Sequence, residues 1–144
     1  MGYATPKLDV RAVVFKENKL LLAKEIGDGR WSVPGGWADV GYSASENAEK
    51  EVLEETGLRV KAIKLLALTD RTKHPHPPMF LHVYKAFFWC EIIDGELTPS
   101  IETPEVGFFS RDELPPISTA RVTEEQIQQF FDYLESIPEA TKFD

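Results

Sequence analysis

Glu51, Glu54 and Glu55 stand close together in the run EKEVLEETGL at residues 49–58. In a helix, positions i, i+3 and i+4 share a face, so the three carboxylates fall within one arc. Ala44, Ala48 and Val52 lie beside that arc and partly within it. The glutamates therefore belong at the rim of a buried stripe, not opposite it. Like charges at these spacings cost roughly a few tenths of a kcal/mol each on an exposed helix, and more beside an apolar rim. Two readings answer that cost. Either the helix shows a solvated acidic face, as charge runs commonly do, or the oxygens hold a cation. Two or three carboxylates projecting together match what Mg²⁺ accepts.

The surrounding elements favour the cation. Pro34-Gly35-Gly36 precedes the helix, and such bare backbone can approach a ligand closely and offer a carbonyl. Ser43-Ala44-Ser45-Glu46 has the form of a capping box. It opens a helix running to about Thr56, and Gly57 suits a left-handed stop. Upstream, Leu8 to Phe15 is a β-branched, apolar strand carrying charges at Asp9 and Arg11. Lys16-Glu17-Asn18 is a turn, and Lys19 to Lys24 is the return strand of a hairpin. Gly27-Asp28-Gly29 is a loop, Trp31 to Val33 is short and extended, and Pro34-Gly35-Gly36 is expected to break any regular element.

Downstream, Arg59 to Thr69 reads as a strand. Arg71 to Pro78 must be a loop, because its prolines forbid a ladder. Met79 to Ile93 reads as a long, aromatic-rich strand and Asp94-Gly95 as a turn. Val106 to Phe109 is a short strand, and Arg111 to Leu114 is one helical turn. Thr123 to Leu134 has helical apolar spacing and opens on a second capping box, Thr123 to Gln126. Strands, helix, strands, helix imply an α/β (α+β) fold with a mixed sheet sandwiched between helices, in a single domain over residues 1–144.

The chain of 144 residues carries a formal net charge of -8. That charge disfavours non-specific binding to nucleic acid or to an anionic membrane. An anionic substrate would need a cation between itself and the protein. Cys90 is the sole cysteine, so neither an intramolecular disulfide nor a Cys-rich zinc site can form, and its apolar run marks a buried structural thiol. The first residues have no signal-peptide pattern, and no apolar run approaches the ~20 residues of a membrane span. A cytoplasmic location is expected.

The box itself resembles that of the Nudix hydrolases: Gly, five residues, Glu, seven residues, Arg-Glu, an apolar residue, any residue, Glu-Glu, any residue, Gly, an apolar residue. Gly36, Glu51, Val52, Glu54, Glu55, Gly57 and Leu58 match it. Tyr42 stands where Glu is usual, and Lys50 where Arg is usual. The segments TPKLDVRAVVF, RWSVPGGWADVGYS, HPHPP and VGFFSRDELPP further resemble a bacterial subgroup labelled ADP-ribose pyrophosphatases, some of which act on CDP-choline. That subgroup often carries an extra helical segment before the strand corresponding to Leu8, which this chain lacks.

The resemblance implies metal-dependent hydrolysis of a nucleoside diphosphate linked to a group X. Mg²⁺ or Mn²⁺ would be held by Gly35 (through its carbonyl), Glu51 and Glu55. Glu54 would be a further ligand or an orienting catalytic residue. The family often draws one more carboxylate from a loop; Glu102 and Glu105 are the candidates, and Glu105, directly before the short strand, is preferred as catalytic. Arg71, Lys73, His76 and Tyr42 are the substrate-binding candidates, against the plain alternative that they are ordinary loop and packing residues. A metal role for His74 and His76 is set aside, since Mg²⁺ and Mn²⁺ prefer oxygen. The expected partner is a small nucleotide, and a homodimer is compatible with the sequence. The competing reading is a catalytically silent Nudix domain that senses a nucleotide or binds a partner. A third keeps the enzyme but makes its substrate a damaged nucleoside triphosphate. Tyr42 and Lys50 read as a compensated change: with no acid to clamp, a point charge replaces the planar guanidinium.

Overall fold

The first hairpin is built from two nearly continuous buried runs, Asp9 to Val14 and Leu20 to Ala23. β1 (Lys7–Lys16) and β2 (Lys19–Lys24) pair antiparallel through Phe15↔Leu20 and Lys16↔Lys19. Glu17 and Asn18 between them both take positive φ, 52° and 62°, the backbone twist a two-residue hairpin needs. This computed structural model describes residues 3–101, 103 and 105–144. Glu102, one of the two loop-carboxylate candidates, lies outside the described residues.

The remaining elements are β3 (Trp31–Ser32), β4 (Gly35–Trp37), α1 (Ala44–Thr56), β5 (Leu58–Asp70), a 3-10 turn (Arg71–Lys73), β6 (Val83–Gly95), β7 (Val106–Phe109), α2 (Glu124–Asp132) and β8 (Lys142–Phe143). The sheet runs β3-β2-β1-β6-β5-β8, with β4 also on β1 and β7 also on β2. It is mixed: β1 and β6 are parallel, β5 and β6 antiparallel.

Side chains alternate across the sheet. Val13 and Leu22 join Phe87, Trp89 and the α2 residues Ile127, Phe130 and Phe131 in one core. Val10, Ala12 and Val14 join Ala86, Phe88, Cys90 and the α1 residues Ala48 and Val52 in the other. The helices thus cover opposite faces, as the fold class requires. Cys90 is buried, which pushes its thiol up to about 12. No helix of the described residues is long and apolar enough to cross a membrane.

Four expectations need correction. Pro34-Gly35-Gly36 does not break regular structure: Gly35, Gly36 and Trp37 form β4, paired with Arg11, Val10 and Asp9. β2 pairs only with the end of β1, which leaves an open edge at residues 9–11, and glycine alone fits against it. A Cβ on Gly35 would sit 2.0 Å from the Val10 carbonyl oxygen. The long aromatic strand begins at Val83 instead of Met79, since Pro77 and Pro78 hold the preceding stretch out of the ladder. It also runs on through Asp94-Gly95, where Gly95 faces Leu58. Arg111 to Leu114 makes a turn, with Glu113 N–H donating to the Ser110 carbonyl at 3.1 Å, and not a helix.

Candidate active site

α1 starts where the sequence places it. The Ser43 hydroxyl accepts from the Glu46 N–H at 3.1 Å, and the Glu46 carboxylate accepts from the Ser43 N–H at 2.8 Å. Gly57, at φ 83°, closes the helix. Buried Asn47 accepts from the Asp39 N–H at 2.9 Å and donates to the Ser43 carbonyl at 3.1 Å, tying the loop before the helix to its first turn. This bracing sets the rotation of α1 against β4.

At that rotation the three glutamates part ways. Glu55 is buried and accepts from the Gly35 N–H at 2.9 Å. Glu51 is half-buried over Gly36, where an added Cβ would lie 3.4 Å from its carboxylate oxygen. A strand residue points its N–H and C=O to the same side, so the Gly35 carbonyl also faces the Glu55 side. Glu54 is exposed and paired with Lys50 at 3.1 Å; Lys50 also holds Asp39 at 2.8 Å. Its ammonium lies 5.5 Å from the centre of the Tyr42 ring, a cation–π distance. The two departures from the box are thus in contact. Asp39 and Glu54 together hold the Lys50 ammonium well above its usual range.

Burial pushes the Glu55 carboxyl up to about 8, with Glu51 and Glu25 adding to the effect and Arg11 opposing it. Burial likewise raises Glu51, and Glu54 adds to it. Two neighbouring oxygen donors that resist ionisation together form a set that a hard divalent cation would relieve. Their chemistry fits Mg²⁺ or Mn²⁺. Among the described residues, no three Asp, Glu, His or Cys side chains already converge as a metal cluster, in keeping with the turn of Glu54 toward Lys50.

A cavity of about 300 Å³ opens beside Gly35 and Gly36. On its walls are residues that sequence reasoning missed: Asp9, Arg11, Glu25, Lys85 and Arg121. Asp9 receives Arg11 Nε at 2.9 Å and Arg11 Nη2 at 3.0 Å, and also Lys85 Nζ. Burial works against the charge of Asp9, but Arg11 and Lys85 hold its carboxyl below the usual range. The available signal was the pair of charges at i and i+2 in an otherwise apolar strand.

The other candidates scatter. Arg71 is no solvated loop charge: it is buried on the cavity wall, donating to the Ala120 carbonyl at 3.2 Å and the Pro77 carbonyl at 2.7 Å. Lys73, two residues on, belongs to a different hollow beside Leu68 and Tyr84. His76 Nδ1 donates to the Thr119 carbonyl at 2.7 Å, and burial lowers its imidazole to about 4. Its structural task is to clasp the proline loop to residues 119–120. His74 meets Asp144 at 3.0 Å. Glu105 is exposed and paired with Lys24 at 2.8 Å. A larger cavity, of about 490 Å³, lies between α2 and β5 and contains none of the glutamates of α1.

This arrangement is shared with known proteins. The model of the NUDIX domain matches residues 5–130. YjhB of Bacillus subtilis (strain 168), which carries the name ADP-ribose pyrophosphatase provisionally, is 46% identical over 143 residues, covering 99% of this chain and 69% of that protein. A crystal structure described as an ADP-ribose pyrophosphatase from Streptococcus suis 89-1591 superposes with a TM-score of 0.87 at 44% identity, covering 97% of this chain and all of the other. The structure of a UDP-X diphosphatase superposes at 0.88 with 35% identity, covering 100% of this chain and 70% of the other. With its glutamates set on a capped helix against a glycine strand, the chain belongs to the NUDIX domain family.

Proposed function

We propose that the chain is a divalent-metal-dependent pyrophosphohydrolase of nucleoside diphosphates linked to X, with ADP-ribose the favoured substrate and CDP-choline a weaker candidate. One observation carries the reading: Glu51 and Glu55 lie against Gly35 and Gly36, and the same two glycines line a cavity that also carries four cationic side chains. Glu51, Glu55 and the Gly35 carbonyl would hold the metal. When bound, it would polarise phosphoryl oxygens and lower the pKa of a water.

The protein's own groups do the rest. The buried ion pairs hold the cavity wall rigid, and the Gly35-Gly36 backbone lets a diphosphate approach without a side chain in the way. Water adds to one phosphorus as the bridging P–O bond breaks, and a carboxylate takes the water's proton. Glu54 is proposed as a further ligand or orienting residue, with Lys50 as its counter-charge. Glu105 is proposed as the loop carboxylate. The chain is proposed to act as one domain in the cytoplasm on small nucleotides, without a nucleic-acid partner.

The test is phosphate release over ADP-ribose, CDP-choline, nucleotide sugars, dinucleotides and nucleoside triphosphates, with Mg²⁺ or Mn²⁺ and then with EDTA. ADP-ribose is expected to lead, with activity lost in EDTA. Undiminished turnover in EDTA would overturn the mechanism. Binding of nucleotides with no hydrolysis in any arm would establish the silent-domain alternative.

A further inference from the structure

The 300 Å³ cavity holds more positive than negative side chains. Its walls carry Arg11, Arg71, Lys85 and Arg121 against Asp9 and Glu25, and Arg121 also meets Asp28 at 3.5 Å, which leaves an excess of one positive charge in a chain whose net charge is -8. This is no solvated surface. Lys85 is 2% exposed, Asp9 4%, Arg11 5% and Arg71 7%. Removing unpaired charge from water costs several kcal/mol per ion unless a partner completes it.

The donors left over are specific. Arg11 is spent, on Asp9, on the Val33 carbonyl and on Glu25. Lys85 has three N–H donors, and among the described residues Asp9 is its one acceptor. Arg71 is held by two neutral carbonyls, and among the described residues no carboxylate lies within ion-pair distance of it. Its Nη2 has no acceptor among them. Lys85 and Arg71 therefore bring unspent, positively charged donors to one cavity, which the Gly35-Gly36 backbone also lines.

We propose that Lys85, together with Arg71, binds phosphoryl oxygens of the substrate. The proposal rests on reading the cavity as the substrate site. A phosphoryl group supplies the negative charge and the acceptors that the floor lacks, and charge-assisted bonds of this kind are the strong ones. Every nucleoside diphosphate linked to X brings such a group, so the subsite holds the diphosphate whatever X is.

The experiment titrates inorganic pyrophosphate into the metal-free protein in EDTA by calorimetry, for wild type and Lys85→Met, whose side chain keeps most of the lysine's volume. Wild type is expected to bind, more weakly as salt rises, and Lys85→Met to bind at least ~10-fold more weakly. With metal, the variant should raise KM for ADP-ribose by a similar factor while kcat changes little, the pattern of an interaction made in ground and transition states alike. Equal pyrophosphate binding by the two proteins would overturn the proposal. If Lys85→Met fails to fold, the wild type decides: no pyrophosphate binding in EDTA overturns the subsite. If no substrate is hydrolysed but pyrophosphate binding still depends on Lys85, the subsite stands and the hydrolase reading falls.

Discussion

The two charged regions on either side of Gly35 and Gly36 are built on opposite plans. On the α1 side, Glu51 and Glu55 come from neighbouring turns of one helix, and burial pushes both carboxyls up, with Glu54 adding at Glu51 and Glu51 adding at Glu55. On the cavity side, Asp9, Arg11, Lys85 and Arg71 come from β1, β6 and the turn after β5, and cations are in surplus. The first region lacks a positive charge and the second lacks a negative one. On the function proposed above, a metal-bound diphosphate lying across the glycines would supply both. Neither region is optimised for stability alone. Each holds buried charge that a better-packed apolar core would avoid.

This contrast can be broken from the cavity side first, where the largest effect is expected. Asp9→Asn removes the anion that Arg11 and Lys85 share and leaves both cations buried. The loss should be about 3–5 kcal/mol, read as a lower midpoint in urea. Unchanged stability would show that water already neutralises the floor.

Glu55→Gln and Glu51→Gln probe the other side. Each removes an anionic oxygen donor, and kcat should fall at least ~100-fold, about 2.7 kcal/mol of barrier. In EDTA, however, Glu55→Gln should be at least as stable as wild type, because it removes the cost of protonating or burying a carboxylate that burial has pushed up to about 8, while an amide oxygen can still accept from Gly35 N–H. Destabilisation of that variant in metal-free buffer would erase the distinction between the two regions.

The smallest effects belong to the exposed face of α1. Lys50→Ala should lower kcat/KM by a few-fold, since Glu54 loses its 3.1 Å partner and Tyr42 its ammonium. Lys50→Arg should be mild, and Tyr42→Glu alone should not raise activity by more than a few-fold. A gain above ~100-fold in Tyr42→Glu would mean that the natural pairing impairs the enzyme.

Much of this was legible in one dimension because it is local. A capping box spans four residues, a helix face repeats every three or four, and a two-residue turn sets its own hairpin. Ser43, Gly57, Glu51 and Glu55 therefore announced the helix and its carboxylate edge. The contact between the Tyr42 ring and the Lys50 ammonium is likewise short in sequence, joining the loop before the helix to its second turn. What local spacing misjudged were the elements stabilised from a distance: the β4 strand at Gly35 and the start and end of β6.

The cavity floor was decided by tertiary structure alone. Parallel pairing of β1 with β6 sets Asp9 opposite Lys85, and antiparallel pairing with β4 sets Arg11 opposite Gly35. Arg71 arrives because the rigid proline loop offers the Pro77 carbonyl to it. Alternation along β1 told only that Asp9 and Arg11 share a face. Whether that face met solvent or four further charges, Lys85 among them, depended on strand register across 76 residues of chain, and register is set by the packing of both cores together.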